Sequence, residues 1–431
     1  MSDADRTDGP PAPIGRRGFL GVLGGAGLAS LGLSGGTVRR VPAGALDVLV
    51  IGAGVFGAWT ARALHRAGKR VALVDAFGPA HGAASSGGES RVTRCGYGDA
   101  ELYSEWACRS MAEWRALSRR AAVPLFHELG VLWLHAPGDE FVEATVRVFS
   151  RHGFPFSLLG PAELRSRYPV LRVADDEAGF LGPRGGGLMA RRAVQQLVLE
   201  LESDGVPLLH GEVEPIRVAS GEGGALPAVR TRDGRVISAG AFVAACGPWL
   251  DRVCPDAMTG RLSVTRQEVL FFAVDRAATG ALPVWADLPF YGLPSLEGRG
   301  FKVADDTKGL VVDVSSIDRR PTPEAEERVR AFLERRFPTL AGSRLNESRV
   351  CQYESSSSGD FVLDRHPGLE NVWLAGCGSG HGFKHGPAVG AHVAGLVLGT
   401  AGPIPRFGLA VAGARRTVPD ARAPRGRSAS S

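Results

Sequence analysis

An α/β fold is predicted by three neighbouring observations. The apolar run from Asp47 to Ile51 reads as a buried parallel strand, and Val55 to Ala67 spaces its apolar residues as one face of a helix. Between them, Gly52-Ala53-Gly54-Val55-Phe56-Gly57 puts glycines where strand turns into helix. The first permits the tight turn, the second lets backbone approach a pyrophosphate, and the third lets helix pack on strand. A second strand, Arg70 to Val74, ends in Asp75, 23 residues after Gly52, where a carboxylate can accept hydrogen bonds from a ribose diol. The helix N-terminus then faces the phosphates. A glycine pattern alone is a weak signal. Strand, glycines, helix, strand and acid in register predict a Rossmann-type dinucleotide site, without deciding between NAD and FAD.

Length and composition bound the rest. A chain of 431 residues can bury a substantial core and leaves room for one large or two interleaved domains. With 44% hydrophobic and 22% charged residues it has the composition of a soluble globular protein. The net charge of +5 arises from arginines crowded at both ends, among them Arg16, Arg17, Arg425 and Arg427, so the body is near neutral. No basic stripe interleaved with aromatics suggests nucleic acid. The six cysteines show no metal spacing and no dense disulfide framework.

In chain order, Arg16-Arg17-Gly18-Phe19-Leu20 opens a Gly- and Leu-rich stretch, and Ala43-Gly44-Ala45 precedes the first strand. This resembles a twin-arginine export signal and predicts a periplasmic or extracellular location through that machinery, with a cytoplasmic location as the alternative. The apolar stretch is shorter than the about 20 residues of a membrane span. After the nucleotide turn, a small-residue loop ends in Arg91 and Arg94; on a helical turn that spacing would place both guanidiniums on one face. Leu102 to Ala122 reads as a helix with Trp106, Met111 and Trp114 in the core, and Leu125 to Leu134 as a strand interrupted at Gly130. Helices follow at Glu140 to Arg151 and Arg191 to Asp204, then a strong strand from Ile237 to Ala245 that runs into a second glycine turn, Cys246 to Leu250. Short strands without crossover helices between Arg261 and Val312 predict an antiparallel substrate domain. Glu324 to Arg336 is an amphipathic helix, and Val372 to Ala375 leads into Gly376-Cys377-Gly378-Ser379-Gly380-His381-Gly382-Phe383-Lys384. Residues after Gly402 read as a disordered tail.

With that last glycine run the chain resembles the FAD-dependent amine oxidases of the D-amino-acid oxidase superfamily, in the monomeric sarcosine oxidase and N-methyltryptophan oxidase branch. DVLVIGAGVFG, VALVDAFGP, SRVTRCGYG, YGLPS with GFK, CQYE and GCGSGHGFKHGPAVG stand in the family's order from about Leu46 to Gly399. The resemblance implies FAD and an interleaved fold: an FAD-binding domain from 46–95, 185–260 and 350–400, a substrate domain from 96–184 and 261–349, a leader over 1–45 and a tail over 402–431. It also implies a monomer. Gly52, Gly54, Gly57 and Asp75 match the pyrophosphate and ribose contacts, Val213 a backbone contact to adenine, and Gly378, Gly380 and Gly382 the flavin-facing turn. Arg91 matches the arginine lying against the flavin, and Arg94 with Lys384 the pair that grips a substrate carboxylate; a planar guanidinium and a point-charge ammonium suit that task. Cys351 matches the cysteine linked covalently to the flavin. Lys302 matches a lysine that promotes reaction with oxygen, and Tyr291 a pocket tyrosine.

The implied reaction is oxidation of the C–N bond of a secondary or primary amino acid to an imine, with oxygen reduced to hydrogen peroxide. A flavin dehydrogenase with another acceptor and a flavin-binding protein without turnover are the alternatives. Two departures bear on substrate. Asp306 stands where sarcosine-oxidising members carry histidine, and Gly88 replaces another histidine. An acid in place of an imidazole would repel a carboxylate and attract a cation, which predicts a substrate larger than sarcosine with a second amine.

Overall fold

The computed structural model describes residues 46–218 and 224–413; the twin-arginine motif and the tail beyond 413 lie outside them. The first sheet has seven strands in the order Val362–Arg365, Val372–Gly376, Val236–Ala244, Leu46–Ile51, Val71–Asp75 and Leu208–His210, with Ala228–Arg230 pairing to Val236–Ala244. The four central strands are parallel, in register from Val48 on Val71 and from Phe242 on Val372, so they need apolar cover on both faces. Helix Val55–Arg66 supplies it on one side together with Gly386–Leu398, Ala190–Ser203 and Glu101–Arg120, whose Trp114 and Met111 are buried. Leu250, Met258 and Leu374 belong to the cluster on the other side.

The second sheet has eight strands, in the order Leu345–Ser355, Ser263–Phe272, Phe301–Asp305, Phe290–Leu293, Val284–Asp287, Val131–His135, Ala178–Gly182 and Ser157–Leu159. It is antiparallel except where Val284–Asp287 runs parallel to Val131–His135. Its side chains alternate. Phe272, Phe301, Val303 and Trp285 pack against Phe332 and Phe337 of, and just beyond, helix Pro323–Arg336. The opposite face carries Lys302, Ala304, Tyr291, Cys351 and Tyr353, fixed there by the pairings Phe271–Lys302, Tyr291–Ala304 and Gln267–Cys351. A third sheet of three short strands, Arg91–Arg94, Gly185–Leu188 and Phe126–Glu128, lies in sequence between elements of the first two.

Four expectations are corrected. Arg91 and Arg94 lie on a strand, not a helical turn, so a spacing of three sends them to opposite faces. The segment from Leu125 to Leu134 is two strands in different sheets, divided at Gly130, whose φ is +74°. The boundary at 350 cuts through the strand Leu345–Ser355, which places Cys351 in the substrate sheet. The tail does not begin at 402: Phe407 is fully buried among Tyr103, Trp106 and Phe361, and Arg406 donates from Nε to Asp360 Oδ1 at 2.7 Å. Cys95 and Cys108 form a disulfide between the end of the strand Arg91–Arg94 and the helix Glu101–Arg120.

Candidate active site

One cavity of about 460 Å³ connects the glycine turn, the second glycine turn and the run at 376–384. At its first end, Gly57 is required by close approach: a Cβ there would lie 1.9 Å from the carbonyl oxygen of Gly52. Gly54 differs, since a Cβ would meet only Ser86 Oγ at 3.5 Å, so this backbone stays open to the cavity. Asp75 is held by backbone amides, accepting from Ala53 at 2.7 Å and from Phe77 and Gly78 at 2.8 Å each. A carboxylate has about four acceptor positions, which leaves capacity for a ribose hydroxyl. Val213 lies in the wall beside the ion pair of Arg232 with Glu212, and Trp249 of the second turn faces the same space.

At the other end, Cys377, Ser379 and Gly380 all take positive φ, a costly geometry for non-glycine residues that is confined to sites the surroundings over-determine. Gly378, Gly380 and Gly382 line the cavity there. Beneath them is Glu354, half-buried, accepting from Ser85 Oγ at 2.5 Å, its carboxyl pushed up by desolvation. An elongated, glycine-walled channel with an acid at the ribose position and a helix N-terminus beside it fits a dinucleotide such as FAD.

Arg94 and Lys384 approach the cavity from different elements and meet on Tyr97, which sequence reasoning did not single out. The Arg94 guanidinium carbon sits 4.2 Å from the Tyr97 ring centroid and 4.9 Å from that of Trp133. Lys384 is buried and donates to the Tyr97 hydroxyl at 3.0 Å and to the carbonyl of His381 at 2.9 Å. An ammonium can only donate, so the hydroxyl accepts from Lys384 and turns its own proton toward His385 Nε2 at 2.8 Å. His385 suits that role: burial, then Lys384 and Arg94, hold it well below the usual imidazole range and keep it neutral.

Arg91 projects the other way. It donates to the carbonyls of Ser90 at 2.9 Å and Ser85 at 2.8 Å, and to Cys351 Sγ at 3.1 Å. The glycine at position 88 has a direct reason: a Cβ would lie 2.2 Å from Arg91 Nη1, so the guanidinium occupies the space of a side chain. Lys302 donates to the carbonyl of Ser90 at 2.9 Å, and burial followed by the charge of Arg91 brings its ammonium down to about 7. Lys302, Arg91, Cys351 and Gly88 share a small void of about 20 Å³, separate from the large cavity, which Arg91 also lines. A void of that size admits one water-sized molecule. Tyr353 donates to Asp306 Oδ1 at 2.8 Å, and its hydroxyl lies 3.5 Å from that of Tyr291.

Known proteins align with this arrangement over most of its length. The chain is 30% identical over 364 residues to a monomeric sarcosine oxidase from Bacillus sp. (strain B-0618), covering 82% of this chain and 92% of that one. It is 27% identical over 354 residues to an N-methyl-L-tryptophan oxidase from Yersinia pestis (strain Pestoides F), covering 80% and 92%. The fold matches that of an L-proline dehydrogenase from P. horikoshii with a TM-score of 0.75 at 20% identity, over 85% of this chain and 97% of that one. A family model described as FAD dependent oxidoreductase matches residues 47–396, a span that holds both glycine ends of the cavity and the cations between them, and the chain therefore belongs to this DAO family of FAD-dependent oxidoreductases.

Proposed function

We propose that the chain oxidises the C–N bond of a secondary or primary amino acid to an imine, with oxygen as acceptor and hydrogen peroxide as product. The observation that carries this reading is the convergence of Arg94 and Lys384 on Tyr97 in the wall of the dinucleotide cavity. Two cations held together by one neutral ring and hydroxyl suit a carboxylate, which binds a guanidinium and an ammonium by charge-assisted hydrogen bonds. FAD, held by the turn at Gly52 to Gly57 and by Asp75, would supply the redox chemistry. The protein orients the amine, whose carboxylate rests on Arg94 and Lys384, while Tyr291 closes the pocket from the eight-stranded sheet.

Lys302 lies beside the small void, where its charged form would stabilise negative charge developing on oxygen. Cys351 is the residue proposed to bond the flavin, and its sulfur accepts from the Arg91 guanidinium at 3.1 Å, which fixes the side chain. The disulfide Cys95–Cys108 supports export to an oxidising compartment, as does Arg16-Arg17. The test is an anaerobic screen of amino acids and N-methyl amino acids for bleaching of the flavin, followed by peroxide measurement in air. Bleaching without peroxide would replace oxygen by another acceptor, and no bleaching by any amine would remove the reading. Flavin that stays with the denatured wild-type chain but leaves Cys351→Ala would establish the covalent link.

A further inference from the structure

The strand Leu345–Ser355 leaves the eight-stranded sheet at the flavin-facing turn, and its last charged residue there is Glu354. The backbone at this point is tied to the turn: the Ser379 amide donates to the Glu354 carbonyl at 2.9 Å. By the alternation of a strand, Glu354 and Gln352 share a row opposite to that of Tyr353, and both line the large cavity. Gln352 Nε2 donates to the carbonyl of Ala83, and Ser85 Oγ donates to Glu354 Oε2 at 2.5 Å. The next residue of that loop, Ser86, accepts from the Val55 amide at 3.1 Å, so the loop that holds the carboxyl is itself fixed to the first glycine turn.

The other oxygen, Oε1, lies against the last glycine run, where a Cβ on Gly378 would be 3.0 Å away. Among the described residues the carboxyl forms no salt bridge; Arg91, in the same cavity wall, is a cation that acts on it from further off. Burial pushes the carboxyl up, whereas the Ser85 hydroxyl and the amides of Glu354 and Gly378 present donors that favour its ionised form. A carboxylate has about four acceptor positions, so this one keeps capacity toward the cavity.

Asp75 and the turn from Gly52 to Gly57 suit ribose and pyrophosphate, which leaves the flavin to the far end, walled by Gly378, Gly380 and Gly382. Arg91, Arg94 and Lys384 line the cavity as cations. Cations favour a reduced flavin, which bears negative charge at neutral pH, and a carboxylate beside the ring disfavours it. Resting on FAD as the cofactor and on no particular amine, we propose that Glu354 is an electrostatic counterweight to these cations, its ionised carboxyl facing the bound flavin and lowering its reduction potential. The carboxyl transfers nothing. It makes the flavin harder to reduce and readier to yield its electrons.

The test reduces the purified holoenzyme at pH 8 with dithionite beside a reference dye, and reads the ratio of reduced to oxidised flavin at a fixed dye ratio. Glu354→Gln keeps the size of the side chain and an acceptor oxygen for Ser85 but removes the charge. It should raise that ratio about tenfold, with flavin content and melting midpoint unchanged. Ser85→Ala releases the carboxyl yet keeps its charge, and should stay within about threefold of wild type. An unchanged or lower ratio in Glu354→Gln overturns the proposal. So does an equal rise in Ser85→Ala, which would assign the effect to the loop and not to the charge. Should the amide variant lack flavin, Glu354→Met, neutral and of similar length, is read in its place against the same outcomes. No amine enters the assay, so failure of the amine reading leaves this test standing.

Discussion

The seven-stranded and eight-stranded sheets meet the same cavity by opposite means. The first offers it backbone: strand ends, glycine turns and amides, with Asp75 itself held by three amides. The second offers side chains from one face, Tyr291 and Tyr353 to the cavity and Lys302 and Cys351 to the small void, while the other face packs on Phe332 and Phe337. The difference follows from burial. A parallel sheet covered on both faces can touch a ligand only at its ends, whereas an antiparallel sheet can dedicate a face. Substitutions in the first sheet should therefore affect cofactor retention, and those on the second should affect chemistry with the cofactor in place.

The largest effect should come at the turn. Gly57→Val forces a side chain into the carbonyl of Gly52, and the purified protein should lack the flavin absorbance entirely. A yellow Gly57→Val protein with native flavin content would break the comparison. Lys384→Met should retain its flavin yet lose roughly 30- to 1,000-fold in kcat/KM for an amino acid, because the buried ammonium proposed to meet the substrate carboxylate is removed. Lys302→Met should slow reoxidation by oxygen about a hundredfold and leave anaerobic reduction unchanged, measured by stopped flow.

The same residue sets a pH dependence. Its ammonium titrates at about 7, so the charge is present below that pH and lost as pH rises through it. The wild-type reoxidation rate should fall over that interval, and Lys302→Met should be flat across it. The smallest effect belongs to Tyr97→Phe, which keeps the ring under Arg94 but removes the hydroxyl from Lys384. It should raise KM about tenfold for carboxylate substrates with little change in kcat, and an amine lacking a carboxylate should not sense it.

The same contrast explains what could be read from sequence. The glycine turns were legible because their contribution is made by the backbone, which the order of residues specifies locally. The pattern RVTR was misread because a spacing of three has meaning only once helix or strand is chosen; Val92 and Thr93, both β-branched, were the signal for strand. Cys351 was assigned to the wrong sheet because membership depends on pairing with Ser263–Phe272, about 80 residues earlier, and pairing is not local. Tyr97 stood inside a quoted motif, but its importance depends on Lys384, 287 residues away. The tail boundary erred because composition outweighed a single residue, Phe407, that has a buried place to go.

The disulfide follows from this division of labour as well. Cys95 comes directly after Arg94 and two residues before Tyr97, and its partner Cys108 lies on the helix behind them, while neither glycine turn is touched. The bond tethers the segment that bears Arg94 and Tyr97, and the backbone features that would receive the dinucleotide lie elsewhere in the chain. Reducing this bond should therefore weaken binding of carboxylate substrates while leaving flavin content unchanged, as KM and flavin absorbance before and after thiol treatment will show.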